Sequence, residues 1–526
     1  MTLKKCDDWL TERLRAIPRN ARFAAITAFV VGFVMHIAAA TEMLCNWDSL
    51  ISLSTDSEFL ITQGKWFFPV LHSMRGLVGT GSLCVPLALC YIAISAALIV
   101  CILKIESPLF AALAGAVMVA FPSVMCTFSY AGEDIFCLAM LIAVFGVYLT
   151  QRYKFGFIAG TVLITLATGT YQSYIGFAAG LFVLVCLFDL LYDSFPRREI
   201  LLRGAKFVGV LVASVVLYFI TMKLVLHFAG TKLSYYRGAN SMENIDFAAI
   251  PKLIYDAIVQ FAVFFLKDSF GVGSTLYLVL YNGFLLLSAA IGVWIIIRSR
   301  LWRDIPRLLL TVLMVGLTPL ALHCVAVLGQ DPATHWIMKY PFVLAFLVPI
   351  RMADGQCDYL PKDISAKKAV LDHKVMSCAG WAVAALMLAL VFNWGVLANQ
   401  GYTRMQIAYE GAYANCVRMA DDIYDLADGR DDMPVAFVSL ETPDIIIEDE
   451  IFAYLDDFTG ISNRRFLYLS GHFEYMFTHY MGAGFEYCSK EQSVAVRSDP
   501  AVQEMPVYPE KGSVIESNGV IFVRIN

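Results

Sequence analysis

The stretch Arg22–Ser49 reads RFAAITAFVVGFVMHIAAATEMLCNWDS, and its first half decides what kind of molecule this is. From Phe23 to Thr41 there is no acid, lysine or arginine. A helix that crosses a bilayer needs roughly 20 mainly apolar residues, and this run supplies them. Basic residues precede it (Lys4, Lys5, Arg13, Arg15, Arg19, Arg22), with no small-residue cleavage site behind. The run therefore reads as a first transmembrane helix that is retained. It ends on Asn46-Trp47-Asp48-Ser49, which places an acid at the expected membrane–water boundary.

The rest of the chain repeats the pattern. Of 526 residues, 59% are hydrophobic and 16% charged, and the mean hydropathy is +0.66. Soluble domains are about half apolar and roughly a quarter charged, so lipid is the natural solvent for the excess. About eleven spans are expected, near 23–43, 83–103, 108–126, 135–151, 155–173, 175–192, 207–227, 275–297, 308–328, 340–353 and 378–398. The segment Leu253–Leu266 is too short to span comfortably and reads as an interfacial or re-entrant helix.

Basic residues fall on alternate connections: Arg19 and Arg22, Lys104, Arg152 and Lys154, Arg197 to Lys206, Arg298 to Arg307, and Lys362 to Lys368. The positive-inside rule makes all of these cytoplasmic, with the N-terminus inside and the tail outside. Charge follows the same division. From Asn399 onward 21 acids face 9 basic residues, while the preceding region carries a basic excess. The expected organisation is a membrane domain over 1–398 and a small extracytoplasmic α/β domain over 399–526. In the tail, Tyr409, Tyr413, Cys416, Ala420 and Ile423 fit one helix face. VAFVSL after Pro434 and GVIFVRI near the end read as strands.

None of the thirteen cysteines forms a C-x-x-C pair, and no zinc spacing appears. Cys416 and Cys488 fall in the polar tail, where an oxidising exterior would permit a disulfide between them. No groove-reading motif or basic face for nucleic acid is present. Phosphate-binding glycine loops, H-E-x-x-H and G-x-S-x-G are absent as well, which leaves a cytosolic nucleotide site without support.

Chemistry is then expected on the outer connections. Asp48, beside Trp47 and an apolar wall, suits a general base whose pKa desolvation raises; the plainer reading is an interfacial acid at a helix end. Glu133 and Asp134 precede a span directly, where helix capping is the simpler account. The other account has them facing Asp48 across an outer cavity. Lys65, Trp66, His72, Arg75, Lys232, Tyr235, Tyr236, Arg237, His335, Trp336 and Lys339 recur in the same connections. Cations there can hold a phosphate and aromatics can stack on sugars, although aromatics also make the ordinary interfacial belt. Lys223, His227 and His36 lie in or near spans, where ionisable groups call for a reason; snorkelling covers Lys223.

Taken together, Asn46-Trp47-Asp48-Ser49, Gly64-Lys65-Trp66, Thr170-Tyr171-Gln172-Ser173 and the ending Met505-Pro506-Val507-Tyr508-Pro509 resemble the bacterial Gtr type II glucosyltransferases. That family is related to serotype-converting, O-antigen-modifying enzymes within the GT-C class of membrane glycosyltransferases. The resemblance implies a bacterial inner-membrane enzyme that takes glucose from undecaprenyl phosphate. Its acceptor would be a surface polysaccharide or its lipid-linked precursor. It also implies that Asp48 is the first-loop acid and that Glu133 with Asp134 fills the second acidic position. It assigns none of the basic residues; Lys65, His72, Arg75, Lys232, Tyr235, Arg237, His335 and Lys339 are our own candidates for holding donor phosphate and substrate. No cofactor is expected, and a divalent cation is left open because some GT-C enzymes use one. The alternative reading is a transporter or flippase for lipid-linked sugars. Such a protein more often shows internal repeats and midplane acids, which are missing here.

Overall fold

A computed structural model of the chain describes residues 7, 11–12, 15–42, 44, 46, 48, 57–76, 79–130, 134–192, 195–234, 246, 248–267, 275–329, 334–355, 366–430, 433–439, 453–455, 458–461, 467, 469–489 and 499–525. Its helices, in chain order, are α1 Arg19–Thr41, α2 Ser57–Thr62, α3 Phe68–Arg75, α4 Gly81–Leu103, α5 Pro108–Ala120, α6 Pro122–Phe128, α7 Asp134–Arg152, α8 Gly156–Thr170 and α9 Ile175–Leu191. After these come α10 Arg197–Ala229, α11 Ile250–Leu266, α12 Thr275–Arg298, α13 Ile305–Leu322, α14 Val343–Asp354 and α15 Ala366–Ala427. Among the described residues nine helices are long and apolar enough to cross a membrane, or ten if α5 and α6 count as one bent span. That is fewer than the eleven expected, because α8, on the expected span 155–173, is an apolar helix of only 15 residues. The other expected runs each fall on one of those nine helices or on the bent pair. The protein is a polytopic helical membrane protein.

The sequence explains the local shapes. Pro122 disfavours helical ψ at the residue before it. Phe121 accordingly sits at φ −57, ψ 134, and α5 and α6 meet at 44°. In α10, Val208, Val212, Val216, Ile220 and Leu224 are all exposed, one turn apart, while Phe207, Val210, Ser214, Tyr218 and Met222 are buried. An apolar stripe turned outward opposite a packed face is what a lipid-facing helix requires. Small residues let backbones approach closely. A Cβ on Gly115 of α5 would come within 2.2 Å of the Ala24 carbonyl oxygen of α1.

The basic connections meet at one end of the bundle. There Arg203 pairs with Asp189 at 2.5 Å, and Lys104 approaches the same carboxylate at 3.9 Å. Lys206 Nζ donates to the Thr150 carbonyl at 2.7 Å, and Arg307 Nε to the Leu190 carbonyl at 2.7 Å. Arg298 forks onto Asp372 with bonds of 2.7 and 2.5 Å. The described candidate residues of the outer connections lie at the opposite end.

Helix α15 runs unbroken for 62 residues, about 93 Å at 1.5 Å per residue. It contains no proline and joins the last span directly to the tail. It stops where Asp428 and Gly429 turn left-handed, at φ 48 and 77. The tail sheet has the order β1-β3-β2, with β1 Val435–Val438, β2 Val514–Ser517 and β3 Val520–Arg524. β1 runs parallel to β3, and β2 antiparallel to it. The β2–β3 hairpin turns on Asn518 and Gly519, both at positive φ, the pairing that a tight two-residue turn favours. Val435 and Phe437 pack on α15 beside Cys416, whereas Ala436 and Val438 pack on the other face with Cys488. Both cysteines are free thiols, separated by the sheet.

Candidate functional site

The first loop is fastened by the residues that make it recognisable. Gly64 takes φ 77, open to glycine and costly for other residues. Its carbonyl accepts from Tyr218 Oη at 3.1 Å, and the Gln63 carbonyl accepts from Gln172 Nε2 at 2.8 Å. The Phe67 N–H donates to the Gly169 carbonyl at 2.8 Å. The Trp66 ring lies so close to Gly169 that a Cβ there would sit 2.4 Å from Cε2. These contacts hold Lys65 with its Nζ 5.5 Å from the centroids of both Phe136 and Tyr171, two rings stacked at 4.0 Å. A cation over paired aromatic faces is stabilised by their quadrupoles.

One turn apart on α3, His72 and Arg75 face α7. His72 is buried and stacks on Phe68 at 5.8 Å. Burial, and then the neighbouring Arg75 charge, push its pKa below the usual histidine value. Arg75 Nε lies 3.3 Å from Asp134 Oδ1, with the two side chains only 8% and 1% exposed. Its Nη1 donates to Cys84 Sγ at 3.0 Å. Asp134 opens α7, and its carboxylate is matched to a buried guanidinium. A pair so deeply desolvated holds α3 against α7 and α4.

Asp48 is exposed. Two residues before it, Asn46 is buried and its Nδ2 donates to the Ser129 carbonyl at 2.9 Å. Ser129 Oγ in turn reaches the Thr459 carbonyl at 3.5 Å, and Thr459 Oγ1 accepts from the Trp336 N–H at 3.2 Å. A chain of polar contacts thus runs from Asn46 to a cavity of about 310 Å³. The cavity is lined by Gln260, Val263 and Phe264 of α11, by Thr334, His335, Trp336 and Lys339, and by Thr459 of the tail. Lys339 Nζ sits 5.2 Å from the Trp336 ring centroid. Its lining has polar and cationic groups and no acid among the described residues, a composition suited to an anion with hydroxyl groups.

Behind the cavity wall, His323 contacts the lining residue Thr334. Its Nδ1 lies 3.2 Å from the Ala257 carbonyl, which can only accept, and its Nε2 lies 2.8 Å from Thr334 Oγ1. Because that carbonyl only accepts, Nδ1 carries a proton.

Of the remaining candidates, Lys232 is exposed on a connection tied to α2 by the Ser234 N–H to Thr62 carbonyl bond of 2.9 Å. Glu133, Tyr235, Tyr236 and Arg237 lie outside the described residues. Lys223 and His227 are exposed on α10. His36 is buried within α1, 2.6 Å from Tyr402 Oη and 3.1 Å from the Val119 carbonyl, and so joins three helices. The structure therefore forms two neighbouring clusters at one end. Lys65, His72, Arg75 and Asp134 make the first, His335 and Lys339 the second, with Tyr171, Tyr174 and Tyr340 packed between them. The sequence reading missed Gln260, Thr334, His323 and Thr459. No short motif carries them, since their relation exists only in three dimensions. Among the described residues no three His, Cys, Asp or Glu side chains gather to hold a metal.

A helical bundle with apolar spans and a polar, cation-bearing cavity defines a polytopic membrane protein. Residues 38–348 match the family model described as Glucosyl transferase GtrII, and the chain belongs to that family, which implies a glucosyltransferase. Asp48, both clusters and the cavity's α11 wall fall inside the matched region; the tail, including Thr459, lies beyond it. No curated protein and no solved structure matches the chain.

Proposed function

We propose that this protein is an inverting, GT-C-type glucosyltransferase of the bacterial inner membrane. It moves glucose from undecaprenyl phosphate to a surface polysaccharide, such as O-antigen, or to its lipid-linked precursor. The basic end of the bundle faces the cytoplasm, and the clusters and the tail face outward. The observation that carries the reading is the cavity: it bears Lys339 and His335, lies at the end opposite the basic connections, and has exposed apolar residues of α11 alongside. A donor with its chain in lipid and its sugar phosphate in that cavity suits both features.

In the reaction Asp48 takes the proton of an acceptor hydroxyl. That oxygen bonds to the anomeric carbon while the carbon–oxygen bond to phosphate breaks, and the electron pair leaves with the phosphate. Lys339 stabilises the charge gathering there. Its support is its place on the cavity wall. Arg75, by contrast, is committed to Asp134, which favours a positioning role for that pair. No metal is invoked, and the proposed steps need none.

The test is transfer from radiolabelled undecaprenyl-phosphate glucose by purified protein in lipid. Asp48→Asn should abolish transfer. Lys339→Gln should lower kcat by about 10²–10³, the loss seen when one preorganised charge-stabilising donor is removed. Equal transfer by wild type and Asp48→Asn would remove Asp48 from the mechanism. A product of retained anomeric configuration would exclude the single displacement.

A further inference from the structure

The tail does not merely sit above the bundle. Leu455, Phe458 and Ile461 are at most 1% exposed, and all three belong to the apolar core of the membrane domain, whereas the tail has its own core around Phe437 and Cys416. Phe458 stacks on Trp336 at 4.8 Å, and Tyr454 packs against the same membrane core. Gly460 adopts φ +85, and a Cβ there would sit 1.9 Å from Ser129 Oγ and 2.7 Å from the Tyr130 ring. Gly401 of α15 leaves room for Ile461 and Met125, with a Cβ only 3.1 and 3.0 Å from them. The segment is therefore fitted into the bundle by shape, with glycine at the two places where a side chain would obstruct it. Thr459, held between Phe458 and Gly460, is the one tail residue on the cavity wall among the described residues.

Resting on the glucosyltransferase reading above, we propose that Leu455 with Phe458, Thr459, Gly460 and Ile461 forms a plug through which the tail completes the substrate cavity. Thr459 is its specificity-determining residue, reading a hydroxyl of the donor sugar. The Thr459 Oγ1 accepts from the Trp336 N–H, which fixes the hydroxyl's position and leaves its hydrogen free to donate into the cavity. A cavity of about 310 Å³ is at the small end for ligand sites, so it suits a single sugar phosphate rather than an oligosaccharide. A polar wall aimed at one hydroxyl discriminates between epimers, whereas an apolar wall does so poorly. The donor's sugar is thus read in part by a residue some 110 positions beyond the end of the family match, by the counts in the two ranges.

Two measurements on the full-length protein in lipid test this. The first is kinetic, with undecaprenyl-phosphate glucose and its galactose and mannose counterparts. Thr459→Val keeps the shape and removes the hydroxyl; it should raise KM for the glucose donor by about three- to tenfold, as expected for one lost neutral hydrogen bond. It should also narrow the preference for glucose over its epimers, and Thr459→Ser should restore both. An unchanged KM and preference in Thr459→Val would overturn the role of Thr459. The second is peptide-resolved maleimide labelling of Cys126, which is fully buried in the core shared with Phe458 and Ile461. Wild type and Thr459→Val should protect Cys126, and Phe458→Ala should expose it. Protection that survives Phe458→Ala would overturn the plug. If wild type transferred none of the three sugars, the donor reading would fall, while labelling would still decide the plug.

Discussion

Removing one partner of the Arg75–Asp134 pair should cost far more than removing both. At 3.3 Å the two charges attract by about 5 kcal/mol with an effective dielectric near 20. Desolvation offsets much of this, because the side chains are only 8% and 1% exposed. Asp134→Leu strands a guanidinium between α3, α4 and α7, and Arg75→Met strands a carboxylate. Each should destabilise the fold by ~3–5 kcal/mol, the usual consequence of an uncompensated buried charge. The double variant Arg75→Met/Asp134→Leu buries apolar groups of similar reach and should fall within about 1 kcal/mol of wild type or exceed it. Thermal unfolding in lipid nanodiscs, followed by labelling of the buried Cys84 and Cys137, ranks the four proteins. Glucose transfer by the same samples then separates support from chemistry. A double variant as stable as wild type and still active confirms a positioning pair. One that folds well and transfers nothing would refute that assignment and return Asp134 to the catalytic centre.

Two further outcomes follow from the packing. Gly169→Ala puts a methyl 2.4 Å from the Trp66 ring, so Trp66 must move and Lys65 loses its seat over Phe136 and Tyr171; we expect ~1–3 kcal/mol of destabilisation by overpacking and reduced transfer, measured by unfolding and by the label assay. In the tail, burial holds the His472 pKa down at about 4, below its unfolded value. The unfolded tail therefore binds more protons between those two values, and stability present above pH ~6.5 drains away as pH falls toward 4. Hydrogen exchange of β1 and β3 at pH 7 and pH 5 should show that loss, and His472→Leu should remove it.

The spans were legible because lipid leaves a run of some twenty residues little choice of composition, and alternate basic connections marked one end of the bundle. Strands β1 and β3 announced themselves as short β-branched and aromatic runs. Two kinds of information were hidden. The Tyr409–Ile423 face and the last span read as separate elements, yet α15 carries both without a break, since Arg404 and Gln406 interrupt the hydropathy but not the helix. The plug was invisible for another reason. Leu455, Phe458 and Ile461 recur every third residue, but over too short a stretch of an acidic tail to mark an element, and the partner residues Trp336 and Ser129 are more than a hundred residues away. In the site, Lys65, His72, Arg75, His335 and Lys339 drew notice as cations and histidines near the membrane. Sequence alone could not tell that Arg75 is neutralised by Asp134 while Lys339 opens onto a cavity.

The length of α15 has a geometric consequence. A continuous helix is stiff to twist, and each residue advances it about 100° and 1.5 Å. The tail core grips its far end at Cys416, Met419 and Ile423, while Tyr402 and Met405 are packed in the membrane core. The plug, joined to that tail core through the chain, must meet Trp336 at one compass bearing. α15 therefore acts as a clocking shaft. Adding one residue between Met405 and Cys416 would swing the tail a quarter-turn or more and aim Thr459 away from the cavity, although every contact within each half survived.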